Sequence, residues 1–243
     1  MIDIHCHLLP NVDDGSDSLN LSRQLLIDAK KEGINKVCIT PHFTRLDNYK
    51  YKKNELLPLF NKLVDDTKDI GIKLYLGNEL YIDSELDTLL TNNEVCSIND
   101  TKYVLVEFPF NIYKDEFDEY LYNISLDYKI IIAHPERYKY VIENNDFVLK
   151  WIKRGYLLQS NQNSLFIKEN KKVVFNLIEK GYLSFICSDA HNINRPLTLI
   201  DAYNLISHKF NIDIANLLFE ENSNRVLENK DTIKPFKCKK RLF

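Results

Sequence analysis

The sequence predicts an α/β protein in which seven parallel strands close into a (βα)7 TIM-like barrel. Short β-branched runs alternate seven times with longer amphipathic stretches. The starts of these runs lie roughly 26–37 residues apart, which is the spacing of βα units in a barrel or in an open doubly wound sheet. No Gly/Ser/Pro-rich linker interrupts the alternation, so we expect a single domain over residues 1–243.

The predicted strands are short runs rich in Val, Ile, Leu and aromatic residues. In chain order they are Ile2–His7, Lys36–Thr40, Lys73–Glu79, Tyr103–Phe108, Lys129–Ala133, Leu157–Asn161 and Ser184–Ser188. A right-handed crossover between consecutive strands would make the sheet parallel.

The predicted helices show apolar residues on one face. In Leu19–Lys31, for example, Leu21, Leu25, Leu26 and Ala29 share a face. Similar patterns cover Asn54–Ile70, Asp115–Leu126, Asn145–Arg154, Asn170–Lys180 and Pro196–His208, and a last amphipathic helix pair is expected after Asp213. Glycine follows four of these stretches, at the position where a helix C-terminus favours it: Gly33, Gly71, Gly155 and Gly181.

Composition excludes several classes of protein. The 35 acidic and 32 basic side chains nearly balance, which argues against non-specific nucleic-acid binding, and 44% hydrophobic residues argue against disorder. Five cysteines form no C-x-x-C pair, and no stretch resembles a secretory signal or a bilayer-spanning segment. We therefore expect a cytoplasmic protein with reduced thiols. The basic tail Lys234–Phe243 fits either a docking arm for an acidic partner or a solvated terminus.

Metal-competent side chains recur where the predicted strands end. Five of the six histidines lie there, the exception being His208 within a predicted helix. The carboxyl ends of parallel strands open onto one face, so residues scattered along the sequence converge in space. The residues concerned are His5, His7, Asp14, His42, Glu79, Glu107, His134, Asp189 and His191.

Each motif taken alone has a structural interpretation as well. His5 and His7 point the same way on a strand and can hold one ion, but they also fit two hydrogen-bonded histidines. Asp14 precedes a glycine and could simply begin a turn. A carboxylate such as Glu79 or Glu107 at the end of an apolar strand could pair with Lys or Arg instead of a metal.

Taken together, nine oxygen and nitrogen ligands are too many for one ion and suit a cluster of two or three. Imidazole and carboxylate ligands without thiolate favour Mn, Fe or Zn. Such clusters polarise a phosphoryl group and generate hydroxide near neutral pH. The sequence therefore predicts metal-assisted hydrolysis.

These residues lie in motifs that resemble the PHP (polymerase and histidinol phosphatase) superfamily, in the same order from Met1 to about Ile200. The matching strings are Asp3-Ile4-His5-Cys6-His7, Asp13-Asp14-Gly15, Thr40-Pro41-His42, Gly77-Asn78-Glu79, Ala133-His134-Pro135-Glu136-Arg137 and Ser188-Asp189-Ala190-His191-Asn192. The last two strings are similar to the CpsB/YwqE-type branch, the bacterial manganese-dependent protein-tyrosine phosphatases linked to capsular and exopolysaccharide synthesis.

The resemblance implies a distorted (βα)7 TIM-like barrel of the PHP type with three metal ions, most readily Mn, with Fe, Zn or Mg as alternatives. It assigns His5, His7, Glu79 and Asp189 to one ion, Glu79, Glu107 and His134 to a second, and Asp14, His42 and His191 to a third. It also places Arg137 and Arg195 as catalytic, phosphate-binding arginines. The segment Asn163–Lys171 has fewer glycines than the family pattern, which leaves the shape of that loop open.

The resulting hypothesis is a protein-tyrosine phosphatase that uses a metal-bridging hydroxide. The resemblance implies a partner, the Tyr-rich tail of a membrane-associated bacterial tyrosine kinase that controls polysaccharide export. Two alternatives stay open: another PHP phosphatase acting on histidinol phosphate or a nucleotide, and a non-catalytic regulatory module on the same scaffold.

Glu107 favours the tyrosine phosphatases modestly, because relatives in the histidinol phosphatase branch often carry His there. A cysteine-based mechanism is excluded, because no cysteine begins a C-x5-R motif.

Overall fold

A computed structural model describes residues 1–45, 48–144 and 146–239. Within these residues the chain forms nine short strands, and every pair of neighbouring strands is parallel. The strands are β1 (Ile2–Cys6), β2 (Lys36–Ile39), β3 (His42–Phe43), β4 (Lys73–Leu76), β5 (Glu79–Tyr81), β6 (Tyr103–Glu107), β7 (Lys129–Ala133), β8 (Leu157–Asn161) and β9 (Phe185–Cys187).

The strands form two sheets, in the orders β1-β2-β4 and β3-β5-β6-β7-β8-β9. The predicted continuous strand Lys73–Glu79 is wrong, because the chain leaves the ladder between β4 and β5. Beside this break, Pro41 separates β2 from β3 and has no N–H to donate. The Gly77 N–H donates to the Ile39 carbonyl at 2.9 Å and the Glu79 N–H to the Pro41 carbonyl at 3.2 Å, so backbone bonds cross the break.

The ring closes between β9 and β1. Just beyond β9, the Asp189 N–H donates to the His5 carbonyl at 2.9 Å, and the His7 N–H donates to the Ala190 carbonyl at 2.7 Å. A parallel bridge joins Cys6 to Ala190 at the same place. The predicted seven-unit barrel is confirmed, and its distortion is the division of its wall into two sheets.

Helices surround this wall. They are α1 (Leu19–Lys31), α2 (Lys53–Thr67), α3 (Leu86–Thr91), α4 (Phe117–Ser125), α5 (Lys139–Glu143), α6 (Asp146–Lys153), α7 (Lys168–Glu179), α8 (Ile200–Lys209), α9 (Ile212–Asn216) and α10 (Asn222–Leu227). The expected last pair is α9 and α10, joined by a π-helical turn over Leu217–Glu221. Asn145, the predicted start of a helix, and residues 240–243 of the basic tail lie outside the described residues.

The helix predicted to begin at Pro196 begins at Ile200 instead. The Glu32 carboxylate explains the difference, since it accepts hydrogen bonds from the Thr198 hydroxyl at 2.7 Å and from the Leu199 N–H at 3.4 Å. These contacts hold the segment before α8 in a non-helical conformation.

Two apolar layers hold the barrel together. Inside it, side chains such as Ile4, Leu105 and Ile131 form a buried cluster that α10 joins through Val226 and Leu227. The alternate strand residues face outward and pack with the helices in a larger cluster. At the amino end of the barrel, Lys36 at the start of β2 donates to Asn224 of α10. α10 therefore covers that end, and the carboxyl ends remain open for polar side chains.

None of the helices in the described part of the chain has the length and apolar character needed to cross a membrane.

Candidate metal centre

The nine residues predicted to bind metal lie together at the carboxyl ends of the strands. His5 lies in β1, His42 begins β3, Glu79 begins β5 and Glu107 ends β6. The other five follow the ends of strands: His7 and Asp14 after β1, His134 after β7, and Asp189 and His191 after β9. His208 lies in the last turn of α8. The parallel strands therefore bring together, at their carboxyl ends, residues that are up to 186 positions apart along the chain (191 − 5).

Glu79 lies at the centre of this cluster and is almost completely buried. Its Oε2 atom is 3.1 Å from His5 Nε2, 3.2 Å from His7 Nε2 and 3.1 Å from His42 Nδ1. Its Oε1 atom is 2.8 Å from His134 Nε2. One carboxylate thus faces four imidazoles.

Three groups of ligand atoms can be distinguished around Glu79, each with its atoms within 4.8 Å of one another. They are His5, His7, Glu79 and Asp189; then His42, Glu79 and Glu107; and then His7, Asp14, His42 and His191. The first group is the set that the resemblance assigned to one ion. The second has His42 where His134 was expected, although His134 Nε2 is only 3.5 Å from Glu107 Oε1. The third includes His7 in addition to the expected residues.

The backbone departs from regular strand geometry near several of these side chains. The register between β1 and β2 shifts between Asp3 and Cys6, so side-chain alternation is interrupted just before the two histidines. His134 and Asp189 have φ values of 32° and 53°, in the left-handed region that costs residues other than glycine free energy. Strain of this kind persists where the surrounding structure imposes it, commonly at functional sites.

Hydrogen bonds fix the outer nitrogens of several imidazoles. His7 Nδ1 is 2.8 Å from Asp13 Oδ2, and His5 Nδ1 is 2.9 Å from Gln159 Oε1. Asp13 is itself held, because its carboxylate accepts from the N–H groups of Gly15 and His42 at 3.0 Å each. Metal-binding histidines commonly donate their second N–H in this way, which orients the ring. Sequence reasoning assigned no role to Asp13 or Gln159.

The electrostatics of the cluster call for added positive charge. Burial raises the pKa of Glu79, but His5 and His42 outweigh it and hold that pKa well below its usual value. Burial and the neighbouring Glu79 raise the pKa of Glu107 well above its usual value. Burial lowers the pKa of His42 to about 4, so this imidazole is neutral near pH 7. Burial opposes the charged forms of His5 and His7, but Glu79 outweighs it at His5 and Asp13 at His7, and both pKa values are raised. Protons on these two rings therefore supply positive charge that divalent ions could supply instead.

Divalent metal ions fit this donor set. Glu79 Oε2 is buried and has no hydrogen-bond partner among the described residues, although three imidazole nitrogens surround it. His5 Nε2 and His7 Nε2 lie 3.3 Å apart, and at most one of them can donate a proton to the other. Nitrogen and oxygen lone pairs directed at common points are what Mn, Fe or Zn require.

The two predicted phosphate-binding arginines lie at the edge of the cluster. Arg137 Nη1 and Arg195 Nη2 donate to Asp189 Oδ2 at 3.2 Å and 2.6 Å, and Asn161 Nδ2 donates to the same oxygen. The other oxygen, Oδ1, is 3.5 Å from both His5 Nε2 and His7 Nε2. Asp189 therefore has one oxygen on the histidine side and one on the arginine side.

A cleft of about 280 Å³ opens above the cluster and is lined by most of its residues. Its wall includes three aromatic side chains that sequence reasoning did not select: Tyr49, Tyr81 and Phe110. The Phe110 ring packs 5.8 Å from the His134 ring and 4.6 Å from the Arg137 guanidinium carbon. The only signal in the sequence was that these residues come after predicted strands, which does not single out an aromatic residue.

Comparison with known proteins agrees with this geometry. The family model described as "Capsular polysaccharide synthesis, CpsB/CapC" matches residues 1–228. The chain is 35% identical to CapC of Staphylococcus aureus over 215 residues, covering 84% of this chain and 82% of CapC. It is 32% identical to the tyrosine-protein phosphatase YwqE of Bacillus subtilis over 240 residues, covering 95% of this chain and 92% of YwqE.

Among solved structures, the chain matches one from a study of YwqE from Bacillus subtilis and CpsB from Streptococcus pneumoniae. The TM-score is 0.90 at 31% identity, and the match covers 98% of this chain and all of the other. The proteins of that study are described as metal-dependent tyrosine phosphatases. The shared fold extends over nearly the whole chain.

Proposed function

The chain belongs to the CpsB/CapC family, and we propose that it is a metal-dependent protein-tyrosine phosphatase. The observation that carries this proposal is the buried Glu79 carboxylate, surrounded by four imidazoles below a cleft that two arginines border. The names of the relatives CpsB and YwqE agree with the activity. In this proposal a single domain provides the whole site.

We assign the nine clustered residues as ligands of three divalent ions, with manganese as the preferred metal. Glu79 contributes to two of the three groups of ligand atoms, so it would be the residue that joins neighbouring ions. When bound, the ions would polarise the phosphoryl group and lower the pKa of water at the site. Asp13 and Gln159 hold the outer nitrogens of His7 and His5 and thereby keep both rings oriented.

Arg137 and Arg195 bind the phosphate in this proposal. Their guanidinium groups stay protonated, and their planar arrays of N–H donors match phosphate oxygens. Both line the cleft, and both side chains are about one-third exposed. Asp189 Oδ2 holds them in place, so they are arranged before the substrate arrives.

The aromatic wall of the cleft supports an aryl phosphate as the substrate. Phe110 is partly exposed beside Arg137, where it can contact a substrate ring whose phosphate lies on the arginines. Offset stacking of aromatic rings contributes roughly 0.5–1.5 kcal/mol beyond area burial. Tyrosyl oxygen, with a pKa of about 10 as free phenol, also leaves more readily than an alkoxide.

The proposed partner is the Tyr-rich tail of a membrane-associated tyrosine kinase, which the phosphatase would meet in the cytoplasm. An open cleft at the carboxyl face suits an extended protein segment better than a closed pocket would. The description of the family as one of capsular polysaccharide synthesis supports a role in that process.

A substrate panel tests the proposal. The manganese-loaded protein should hydrolyse a phosphotyrosine peptide with a higher kcat/KM than histidinol phosphate or a nucleoside monophosphate. A preference for histidinol phosphate would support the alternative phosphatase, and no hydrolysis of any member by metal-loaded protein would support a non-catalytic module. Phosphate release measured on the three substrates distinguishes these outcomes.

A further inference from the structure

A second cleft lies behind the arginine pair and shares it with the catalytic cleft. It also measures about 280 Å³, and both Arg137 and Arg195 line it together with Asp189. Its other walls come from β8 and from the segment leading into α7, including Asn163, Ser164 and Asn170. This segment is the glycine-poor Asn163–Lys171, which the phosphatase mechanism leaves without a role.

The second cleft has a net positive charge. Its charged side chains, within the described residues, are the two arginines and Asp189. One carboxylate leaves one positive charge uncompensated. Each guanidinium directs one nitrogen at Asp189 Oδ2 and makes no other side-chain hydrogen bond to the described residues.

The polar floor of this cleft is already organised. Asn161 donates to Asp189 through Nδ2, accepts from Gln159 Nε2 at 3.0 Å, and donates its N–H to Glu136 at 2.7 Å. These bonds use the hydrogen-bonding groups of Asn161 internally. A ligand would therefore meet the unused N–H groups of the arginines rather than displace the floor.

The start of α7 adds to the positive character of one wall. Ile167 precedes the helix and has no side chain that caps its N–H groups, and both Ile167 and Asn170 line the second cleft. The uncapped N-terminus of this 12-residue helix carries a partial positive charge. The exposed Glu169 in its first turn offsets part of this charge but does not line the cleft. The helix N-terminus supplements the arginine pair on the opposite side.

We propose that the second cleft binds an acidic side chain of the substrate protein, within two residues of the phosphotyrosine. This inference rests on the proposed function and names a sequence preference of the same site. Two residues of extended chain span about 7 Å, so a side chain at the adjacent or next position can pass the arginines while the phosphate remains on their other face.

Two matched peptides test the inference on the metal-loaded protein. Both carry the same phosphotyrosine, or its non-hydrolysable phosphonate analogue, flanked on each side by Glu in one peptide and by Gln in the other. Dissociation constants of the analogues and kcat/KM of the phosphopeptides are both measured. We expect the Glu peptide to be favoured about three- to ten-fold at low salt, as for a partly exposed charge contact, and less at high salt.

Two substitutions by aspartate in α7 test whether the preference for the Glu peptide arises in the second cleft. Asn170→Asp places a carboxylate in the second cleft and should remove the preference for Glu. Asn176→Asp introduces the same charge into the same helix but outside this cleft, and should keep the wild-type ratio. A Glu-to-Gln ratio near one in wild type, or a preference that survives Asn170→Asp, would overturn the inference. Hydrolysis of phenyl phosphate, which has no flanking residues, reports the proposed function separately.

Discussion

Glu79 is the residue on which the proposed metal centre depends most. Its carboxylate contacts four imidazoles and shares two of the three groups of ligand atoms. We expect Glu79→Gln to lose more than one ion per chain and to lower turnover by a factor on the order of a thousand, because each ion supplies several kcal/mol of charge stabilisation. Metal content and phosphotyrosine hydrolysis are measured on the same preparation.

Exposed Glu116 offers a matched control, and Glu116→Gln should keep both metal and turnover. Glu79→Gln protein that retained its full metal content would remove Glu79 from the centre. Circular dichroism of both variants separates loss of metal from loss of the fold.

Substitution of Arg137 or Arg195 distinguishes the binding of substrate from the binding of metal. Arg137→Ala or Arg195→Ala should raise KM and lower kcat/KM about ten- to a hundred-fold, as expected for a charge-assisted contact to phosphate. Metal content should stay unchanged, because Asn161 and the remaining arginine still hold Asp189. Lysine should rescue only partly, since it cannot form the bidentate pair. Unchanged kcat/KM in both alanine variants would show that the metals bind the phosphate alone.

The buried thiols should have no part in the chemistry. Cys6, Cys38 and Cys187 are fully buried, and burial raises the pKa of each well above its usual value. A neutral thiol is a poor nucleophile, so replacement by serine should leave turnover within about two-fold of wild type. An alanine variant serves where serine lowers stability. Loss of activity in Cys187→Ser with metal still bound would contradict the metal-based mechanism.

At the residue scale, the sequence predicted the positions of the clustered side chains but not their outer contacts. The nine candidates could be found because ionisable residues at the carboxyl ends of the strands all lie on one face of a parallel barrel. Phe110 and Gln159 could not, because an aromatic or amide residue in a loop has many ordinary roles. The local pattern around Asp13 did contain a usable signal, a carboxylate shortly after two histidines that are separated by one residue.

Among the structural elements, the loop after β1 depends on Gly15. A Cβ there would lie 2.1 Å from the His7 carbonyl oxygen and 2.5 Å from the His7 Cβ, so the loop carrying Asp13 and Asp14 would have to move. We expect Gly15→Ala to destabilise the protein by about 1–3 kcal/mol, the usual range for overpacking, and to weaken metal binding. Denaturant unfolding and metal titration measure the two effects.

Gly33 provides the comparison, because a Cβ there meets nothing within 4 Å while φ is +89°. Gly33→Ala should cost roughly 1–2 kcal/mol through backbone strain alone and leave metal affinity unchanged. Equal metal affinity in both alanine variants would mean that the loop after β1 does not position the ligands.

Helices and strands with clear local signals were predicted well. The bounds of α1 agree fully, since Ser18 caps its first turn by accepting from the Leu21 N–H and its apolar face is continuous. The short helices α3 and α5 were missed because one or two turns give too little periodicity to recognise. The break between β4 and β5 was missed because it depends on the neighbouring chain at Pro41.

For the whole molecule, barrel closure is what assembles the site. The ligands come from six different strands or the loops that follow them, and the backbone bonds between β9 and β1 bring Asp189 beside His5. The parallel arrangement and the ring of seven βα units followed from the sequence pattern, but the number of strands did not, since seven were predicted and nine form within the described residues. The division into two sheets did not, because it arises from contacts between segments distant in sequence.

Metal content measured together with activity tests the central claim most directly. Elemental analysis of the purified protein should find manganese or a similar divalent metal, close to three ions per chain, and hydrolysis of a phosphotyrosine peptide should accompany it. Chelation should remove the metal and abolish hydrolysis, and added Mn²⁺ should restore both. Full hydrolysis by protein shown to contain no metal would contradict the account.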